Sequence, residues 1–219
     1  MVKPGVTTGQ IDRKIHKFIL SQNAAPSFLG YGGFPASACI SVNDAVIHGI
    51  PGSRVIKPGD IVSIDVGAHY KGYHADTAAT FAAGEISDAA QALMQATQNA
   101  LHKAIGAAIV GNRVGDLSHA VQSFIQPLGY GVVRKFVGHG IGRNMHESPE
   151  VPNFGKAGSG HRLAAGMTLA IEPMINMGDA DVKILSDGWT VLTVDGSLSA
   201  HFEHTIAITE NGPVILTRP

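Results

Sequence analysis

Cysteine occurs once in this chain, at Cys39, and tryptophan once, at Trp189. A lone cysteine excludes an internal disulfide and fits a reducing compartment. Charge is sparse: charged residues make up 15% of the chain, against about 25% in an average soluble domain. Sixteen basic residues against seventeen acidic ones leave no bulk field to attract nucleic acid or an anionic membrane. No apolar run approaches the roughly 18 residues a membrane span requires, and the opening MVKPGVTTGQ lacks the apolar stretch of a secretory signal. No glycine-rich loop closing on Lys-Ser or Lys-Thr is present to cradle phosphates, and no Gly-x-Ser-x-Gly elbow to carry a serine nucleophile. Cys39, within Ala38-Cys39-Ile40, reads as a core or pocket residue rather than an activated thiol. The expectation is a soluble cytoplasmic protein with no membrane and no specific nucleic-acid partner.

What the chain does have is carboxylates in apolar company. In Asp60–Phe81, DIVSIDVGAHYKGYHADTAATF, Asp65 and Asp76 sit on two strand-like arms separated by the turn residues Lys71-Gly72. A turn centred on Tyr70-Lys71 would place 65 opposite 76, about 5 Å apart on one face. Carboxylates that close repel unless they share a proton or hold a cation. A pair of solvated edge-strand aspartates is the other reading of this stretch.

The rest of the chain repeats itself. Thr7-x-x-Gln10 is a capping box opening a helix with Ile11, Ile15, Phe18 and Ile19 on one stripe. Gly115-Asp116-Leu117 opens a second, with Leu117, Val121, Phe124 and Ile125 at the same spacing. His48-Gly49-Ile50 recurs as His139-Gly140-Ile141. Gly59 to Asp65 recurs as Gly166 to Glu172, and Asp76-Thr77 more loosely as Glu203-His204-Thr205. The echoes keep one order, which indicates an internal duplication with halves of about 1–105 and 112–219 within a single domain. Between them, Ser87 to Gly111 carries a helical stripe of Ala90, Leu93, Met94, Thr97, Leu101, Ala104, Ile105 and Ala108, with Gly111 as its stop. Second-half strands are predicted at Val132–Val137, Met167–Glu172, Thr190–Val194, His201–Thr209 and Val214–Thr217. The fold class is α+β: a bent antiparallel sheet with helices on one face and pseudo-two-fold symmetry.

The duplication brings Asp65, Asp76, Glu172 and Glu203 toward one site, two from each half. Four unpaired carboxylates in one pocket are prohibitive, whereas two divalent cations balance them. An oxygen-rich ligand set without cysteine suits Mn, Fe(II) or Co better than a structural zinc. Among eleven histidines, His139 stands out because the glycines of Val137-Gly138-His139-Gly140-Ile141-Gly142 clear the space around it. His48 is its duplicate. His16, His102 and His119 read as solvated helix residues, His69 as a turn residue and His161 as a loop residue. His201 and His204 flank Glu203, and strand alternation turns them away from it or into supporting bonds. His146-Glu147-Ser148-Pro149-Glu150 is not a zinc-protease HExxH helix, since Glu150 replaces the second histidine and Pro149 interrupts.

The ordered set Ser41-Val42-Asn43-Asp44, His48-Gly49-Ile50-Pro51, Ile64-Asp65-Val66, Asp76-Thr77, Gly138 to Gly142, Ile171-Glu172-Pro173-Met174 and Phe202-Glu203-His204-Thr205 closely resembles type I methionine aminopeptidase. The likeness runs along essentially the whole chain. It implies the pita-bread fold, a duplicated α+β domain around a dinuclear metal site. It implies two divalent ions per chain (Co, Mn or Fe(II), with Zn and Ni as further options). Their ligands would be Asp65, Asp76, His139, Glu172 and Glu203, with Asp76 and Glu203 bridging. The implied reaction is hydroxide attack that removes the initiator methionine from nascent polypeptides whose second residue is small. Glu172 would shuttle the proton, His146 bond the carbonyl oxygen, and His48 contact the substrate near the scissile amide. Tyr31, Phe34, Cys39, Met145 and Trp189 match positions lining the methionine pocket. A monomer is implied, with contact to the ribosome as a further expectation.

Three departures stand out. The family carries a helical segment ahead of the point where this sequence starts, so a shortened chain or a bare surface is expected. Gly32 stands where many bacterial members have a histidine, and Ala75 where a glycine usually precedes the bridging aspartate, a change expected to tilt Asp76. Two rival readings share the fold: a proline-directed aminopeptidase or prolidase, and a non-catalytic ribosome- or RNA-associated binding protein.

Overall fold

The structure, a computed structural model, describes residues 1–218. The chain opens with α1 (Thr8–Ser21), capped as expected: the Thr7 hydroxyl accepts from the Gln10 N–H, and the Gln10 side chain accepts from the Thr7 N–H. Short strands follow, β1 (Ala25–Pro26), β2 (Cys39–Val42) and β3 (Ala45–Ile47), and then the long hairpin β4 (Ile61–Tyr70) and β5 (Tyr73–Ala82). Two helices come next, α2 (Asp88–Ala107) and α3 (Val114–Ile125). The remainder is strand: β6 (Gly131–Val132), β7 (Gly138–Gly140), β8 (Glu147–Val151), β9 (Thr168–Ile171), β10 (Met174–Asn176), β11 (Val182–Ile184), β12 (Val191–Thr193), β13 (Ser199–His201), β14 (Glu203–Thr209) and β15 (Gly212–Ile215).

Nine strands form one antiparallel sheet, ordered β1-β4-β5-β14-β9-β7-β8, with β2 also on β4 and β15 also on β14. The order runs from first-half strands directly onto second-half ones at the β5–β14 seam. Two smaller sheets, β13-β10-β6 and β11-β12-β3, complete it. Helix α1 lays Ile11, Ile15 and Ile19 on Ile40, Val42, Val62 and Ile64 of β2 and β4. Helix α2 lies over β9, β13 and β14 and helix α3 over β6 and β8, and the two pack on each other, so that Leu93, Leu101, Leu117 and Val121 share one core cluster with Leu169, Ile171 and Ile206. Apolar burial on this scale is the main stabilising force of the fold. Among the described residues no helix is long and apolar enough to cross a membrane.

Several expectations need correction. The hairpin turns through Lys71 (φ 49°) and Gly72 (φ 85°), with Tyr70 opposite Tyr73. Two positive φ values in a two-residue loop match the right-handed twist of the strands and set this register. Asp65 therefore faces Ala78 and Asp76 faces Gly67, making the aspartates diagonal neighbours on one face rather than direct opposites. Phe18 is 66% exposed and does not share the buried stripe of α1. Helix α2 stops at Ala107, before Gly111. The predicted strand at Val132–Val137 is confined to Gly131–Val132, and the predicted His201–Thr209 strand breaks at Phe202 between β13 and β14. His16 is not solvated: it is half-buried, with Nδ1 2.8 Å from the Ser37 hydroxyl.

Candidate metal centre

The hairpin carries the first two carboxylates to the sheet centre. Asp65 pairs across to Cys39 on β2 and to Ala78 on β5. Asp76 is fixed through its backbone: its N–H donates to the Thr205 hydroxyl at 2.9 Å, and that hydroxyl donates back to the Asp76 carbonyl at 2.8 Å. With both backbone groups so held, Ala75 sits in ordinary ladder pairing opposite Ala68. The Thr77 hydroxyl donates to the Glu203 carbonyl at 2.9 Å, and Thr80 bonds both backbone groups of His201. Threonine hydroxyls thus staple the hairpin to the second-half strands carrying Glu203. Glu172 follows β9 directly, and the Asn153 amide donates to its carbonyl at 3.0 Å.

His139 lies mid-strand on β7, sandwiched between β8 and β9. A Cβ on Gly138 would collide with the Ala170 carbonyl oxygen, and one on Gly140 with that of Ser148. The glycines are therefore what lets three backbones close around His139. Its Nδ1 donates to the Gly140 carbonyl at 2.8 Å, leaving the Nε2 lone pair toward the carboxylates. Nε2 is 3.6 Å from Glu172 Oε1. Burial lowers the His139 pKa to about 4, so the ring is a neutral donor at neutral pH.

The residues fit divalent metal. Asp76, His139 and Glu203, all buried, present ligand atoms within 4.8 Å of one another. Asp65 Oδ1 and Glu203 Oε1 are inaccessible oxygens with no hydrogen-bond partner, a costly arrangement without a cation. Burial raises Asp65, Glu172 and Glu203 well above the usual carboxylate range; Asp76 adds to this for all three. Asp76 itself is lifted by burial to about 6, against the opposing hydrogen bonds from Asp65 and the Thr77 N–H. Bound cations would replace those protons.

The site residues implied by the resemblance all line one cavity of about 130 Å³: Asp65, Asp76, His139, Glu172 and Glu203 at the polar end, His48 and His146 beside them, and Tyr31, Phe34, Cys39, Met145 and Trp189 along the wall. Phe34 meets Trp189 edge-on at 5.1 Å. Burial, then the neighbouring Asp65, pushes the Cys39 thiol up, so it stays a protonated, soft wall group. His48 adopts φ 57° at the end of β3. The next residue, Gly49, packs flush on Ile40 where a Cβ would clash with its carbonyl. The His48 ring meets Phe136 and Trp189 edge-on at 5.7 and 6.1 Å, and burial lowers its pKa to about 4. His146 stacks edge-on against His139 at 4.2 Å.

The sequence reading missed Phe28, a wall residue whose ring lies on Gly67 where a Cβ would strike it. A glycine within the β-branched run of β4 was the available signal. His201 also bears on the site: its Nε2 is 3.8 Å from Glu172 Oε2. His204 faces away and bonds Thr217. His102 and His119 are exposed, and His69 stacks on His74 at 4.5 Å beside the turn.

A sheet-borne cradle of buried carboxylates and one histidine, opening on an apolar wall, is the centre of a metal-dependent hydrolase, and the comparisons agree. Residues 1–210 match metallopeptidase family M24, and the chain belongs to that family. It is 56% identical over 216 residues to a methionine aminopeptidase of Clostridium acetobutylicum, covering 98% of this chain and 86% of that one. It is 52% identical over 217 residues to methionine aminopeptidase 1 of Bacillus subtilis, covering 99% and 88%. The crystal structure of methionine aminopeptidase from Rickettsia prowazekii superposes with a TM-score of 0.98 at 44% identity, covering 99% of this chain and 88% of that one. The resemblance to type I methionine aminopeptidase is thereby borne out, and with it the pita-bread fold. An Xaa-Pro dipeptidase from Bacillus anthracis has a TM-score of 0.79 at 24% identity, covering 100% of this chain and 54% of that one. That is a likeness of fold alone.

Proposed function

We propose that this chain removes the N-terminal methionine from polypeptides whose second residue is small, and does so as a one-domain enzyme of the cytoplasm. The observation that carries the reading is the two-ended cavity: carboxylates and His139 at one end, and at the other an apolar wall with a protonated thiol and aromatic edges. A thioether side chain is polarisable and makes favourable sulfur–aromatic contacts, which suits that wall. The cavity holds little beyond one side chain, so the peptide continues outward and the enzyme acts on chain ends.

In this reading Asp65, Asp76, His139, Glu172 and Glu203 would hold two divalent cations. Mn, Fe(II) and Co are favoured by the oxygen-rich set. When bound, such cations polarise the scissile carbonyl and make water nucleophilic at neutral pH. Glu172, its proton affinity raised by burial and by Asp76, takes a proton from the attacking water and returns it to the leaving amine. His146, at the rim between His139 and Tyr31, donates to the carbonyl oxygen as negative charge develops there. His48, held by its aromatic neighbours, meets the substrate near the scissile amide. The nascent chain reaches this monomer at the ribosome.

Hydrolysis of Met-Ala-Ser by metal-loaded protein across Mn, Fe(II), Co, Zn and Ni tests the reading. Release of free methionine is expected, abolished in Asp76→Asn. Failure on Met-Ala-Ser together with cleavage of an Xaa-Pro peptide would sink it in favour of the prolidase reading. Full occupancy by metal without any cleavage would favour a binding role.

A further inference from the structure

We infer that Tyr31 is a positioning residue for His146 as well as a wall of the pocket. The inference rests on the proposed role of His146 as donor to the scissile carbonyl. The Tyr31 hydroxyl lies 2.7 Å from His146 Nδ1. This is the only hydrogen bond of the His146 ring among the described residues. The two rings are tilted at 48° with centroids 5.2 Å apart, so they touch through the hydroxyl rather than by stacking. The imidazole also meets the His139 ring edge-on, with centroids 4.2 Å apart.

The segment that carries Tyr31 is built to hold it still. Tyr31–Gly33 is a single 3₁₀ turn flanked and filled by glycines at positive φ: Gly30 at 84°, Gly32 at 54° and Gly33 at 88°. The Tyr31 N–H donates to the Phe28 carbonyl at 3.0 Å, its carbonyl accepts from the Phe34 N–H at 2.9 Å, and the Gly30 N–H closes onto the Phe34 carbonyl at 2.8 Å. Phe28 and Phe34 are themselves buried in the pocket wall. A Cβ at Gly32 would press on Trp189 at 3.2 Å. The backbone under Tyr31 is thus clamped at both ends by buried Phe28 and Phe34, although the tyrosine side chain, like that of His146, is itself exposed.

The chemistry follows from the two partners. A phenol carries one O–H donor, and a neutral imidazole carries one N–H and one bare nitrogen. The phenol O–H is the better donor, and Nδ1 accepts. The ring proton is then on Nε2, the nitrogen facing away from Tyr31, and rotation of the ring is arrested. A carbonyl donor needs both: the proton on the correct nitrogen and a fixed direction before charge develops.

The substitution Tyr31→Phe keeps the aromatic wall and removes only the hydroxyl. With metal-loaded protein and Met-Ala-Ser, kcat is expected to fall about tenfold, the scale of one lost hydrogen bond to a reacting group, with KM changed less than about twofold. In the His146→Ala background the same substitution should change kcat by less than about twofold, because its target is gone. Nitrogen-15 NMR of histidine-labelled, metal-free protein should show one His146 tautomer, protonated at Nε2, and a mixture in Tyr31→Phe. A rise in KM alone, or an undiminished tenfold loss of kcat in the His146→Ala background, would overturn the inference. Full kcat in His146→Ala by itself would overturn the reading of His146 on which it rests, and that single variant shows which of the two has failed.

Discussion

Among single residues, Thr205 shows how a neutral side chain supports a charged site. It is 2% exposed, and its hydroxyl satisfies both backbone groups of Asp76 from the opposite half of the chain. Thr205→Val keeps the shape and leaves a buried N–H and a buried carbonyl without partners. We expect a loss of about 1–3 kcal/mol in stability, read by denaturant unfolding, together with weaker metal retention on dialysis. Thr205→Ser should restore both. Glu172 was legible in the sequence because an acid inside Leu169-Ala170-Ile171-Glu172-Pro173-Met174 has no solvent-facing explanation. Thr205 and Phe28 were not, since a threonine or phenylalanine in a strand is ordinary until its partner 129 residues away, or a glycine beneath it, is known. His201 stands two residues before Glu203, so strand alternation alone puts it on that residue's face, and its Nε2 lies 3.8 Å from Glu172 Oε2.

At the scale of elements, period carried the helices and failed the short strands. The stripes of α2 and α3 and the capping box of α1 follow from local sequence. Phe18 fits the stripe by spacing yet lies outside it, because α1 buries only the narrower line of Ile11, Ile15 and Ile19. Strand β7, Gly-His-Gly, has no β-propensity and forms because β8 and β9 pair with it from both sides. That makes its glycines structural. Gly140→Ala should cost about 1–3 kcal/mol and displace His139, so that a drop in melting temperature accompanies loss of metal binding by calorimetry. A variant that melts lower but binds metal with unchanged stoichiometry and affinity would refute the second half of that statement. The hairpin register is the other lesson of this scale: the arms were legible, but the two-residue turn through Lys71 and Gly72 moves the pairing and makes Asp65 and Asp76 diagonal.

Across the whole molecule, the concentration of buried titratable groups at one site makes stability depend on pH and metal together. Asp76, raised to about 6, binds its proton more tightly folded than unfolded, as do Asp65, Glu172 and Glu203. Their contribution is full below the unfolded carboxylate range, near pH 4, and is lost as pH rises through the folded values. The buried histidines act with the opposite sign: His48 and His139, lowered to about 4, and His201, lowered to about 3, contribute stability above about pH 6.5 that is lost as pH falls toward those values. Above about pH 6.5 the histidine contribution is flat and Asp76 is largely ionised, so the change expected there is that of Asp65, Glu172 and Glu203, which burial holds well above the usual carboxylate range. Metal-free protein should therefore melt at progressively lower temperature from pH 6.5 to 8, and added Mn or Co should raise the melting temperature more at pH 8 than at pH 6. Scanning fluorimetry with and without chelator reads both. A metal-free melting temperature that rises over that interval would count against the reading of four buried carboxylates in one pocket.

The sequence by itself determined which residue types sit in apolar surroundings, where the long helices run, and that two stretches of chain carry matching acids and histidines. These properties are local: side-chain period, capping and composition act over a few residues. Only the tertiary structure decided that Asp65 and Asp76 are diagonal, that Gly138 and Gly140 exist to let strands close on His139, that Thr205 reaches Asp76, and that Tyr31 holds His146. Each of these depends on atoms from distant parts of the chain meeting at hydrogen-bond or van der Waals distance. Spacing along a sequence cannot specify such distances until the sheet has closed.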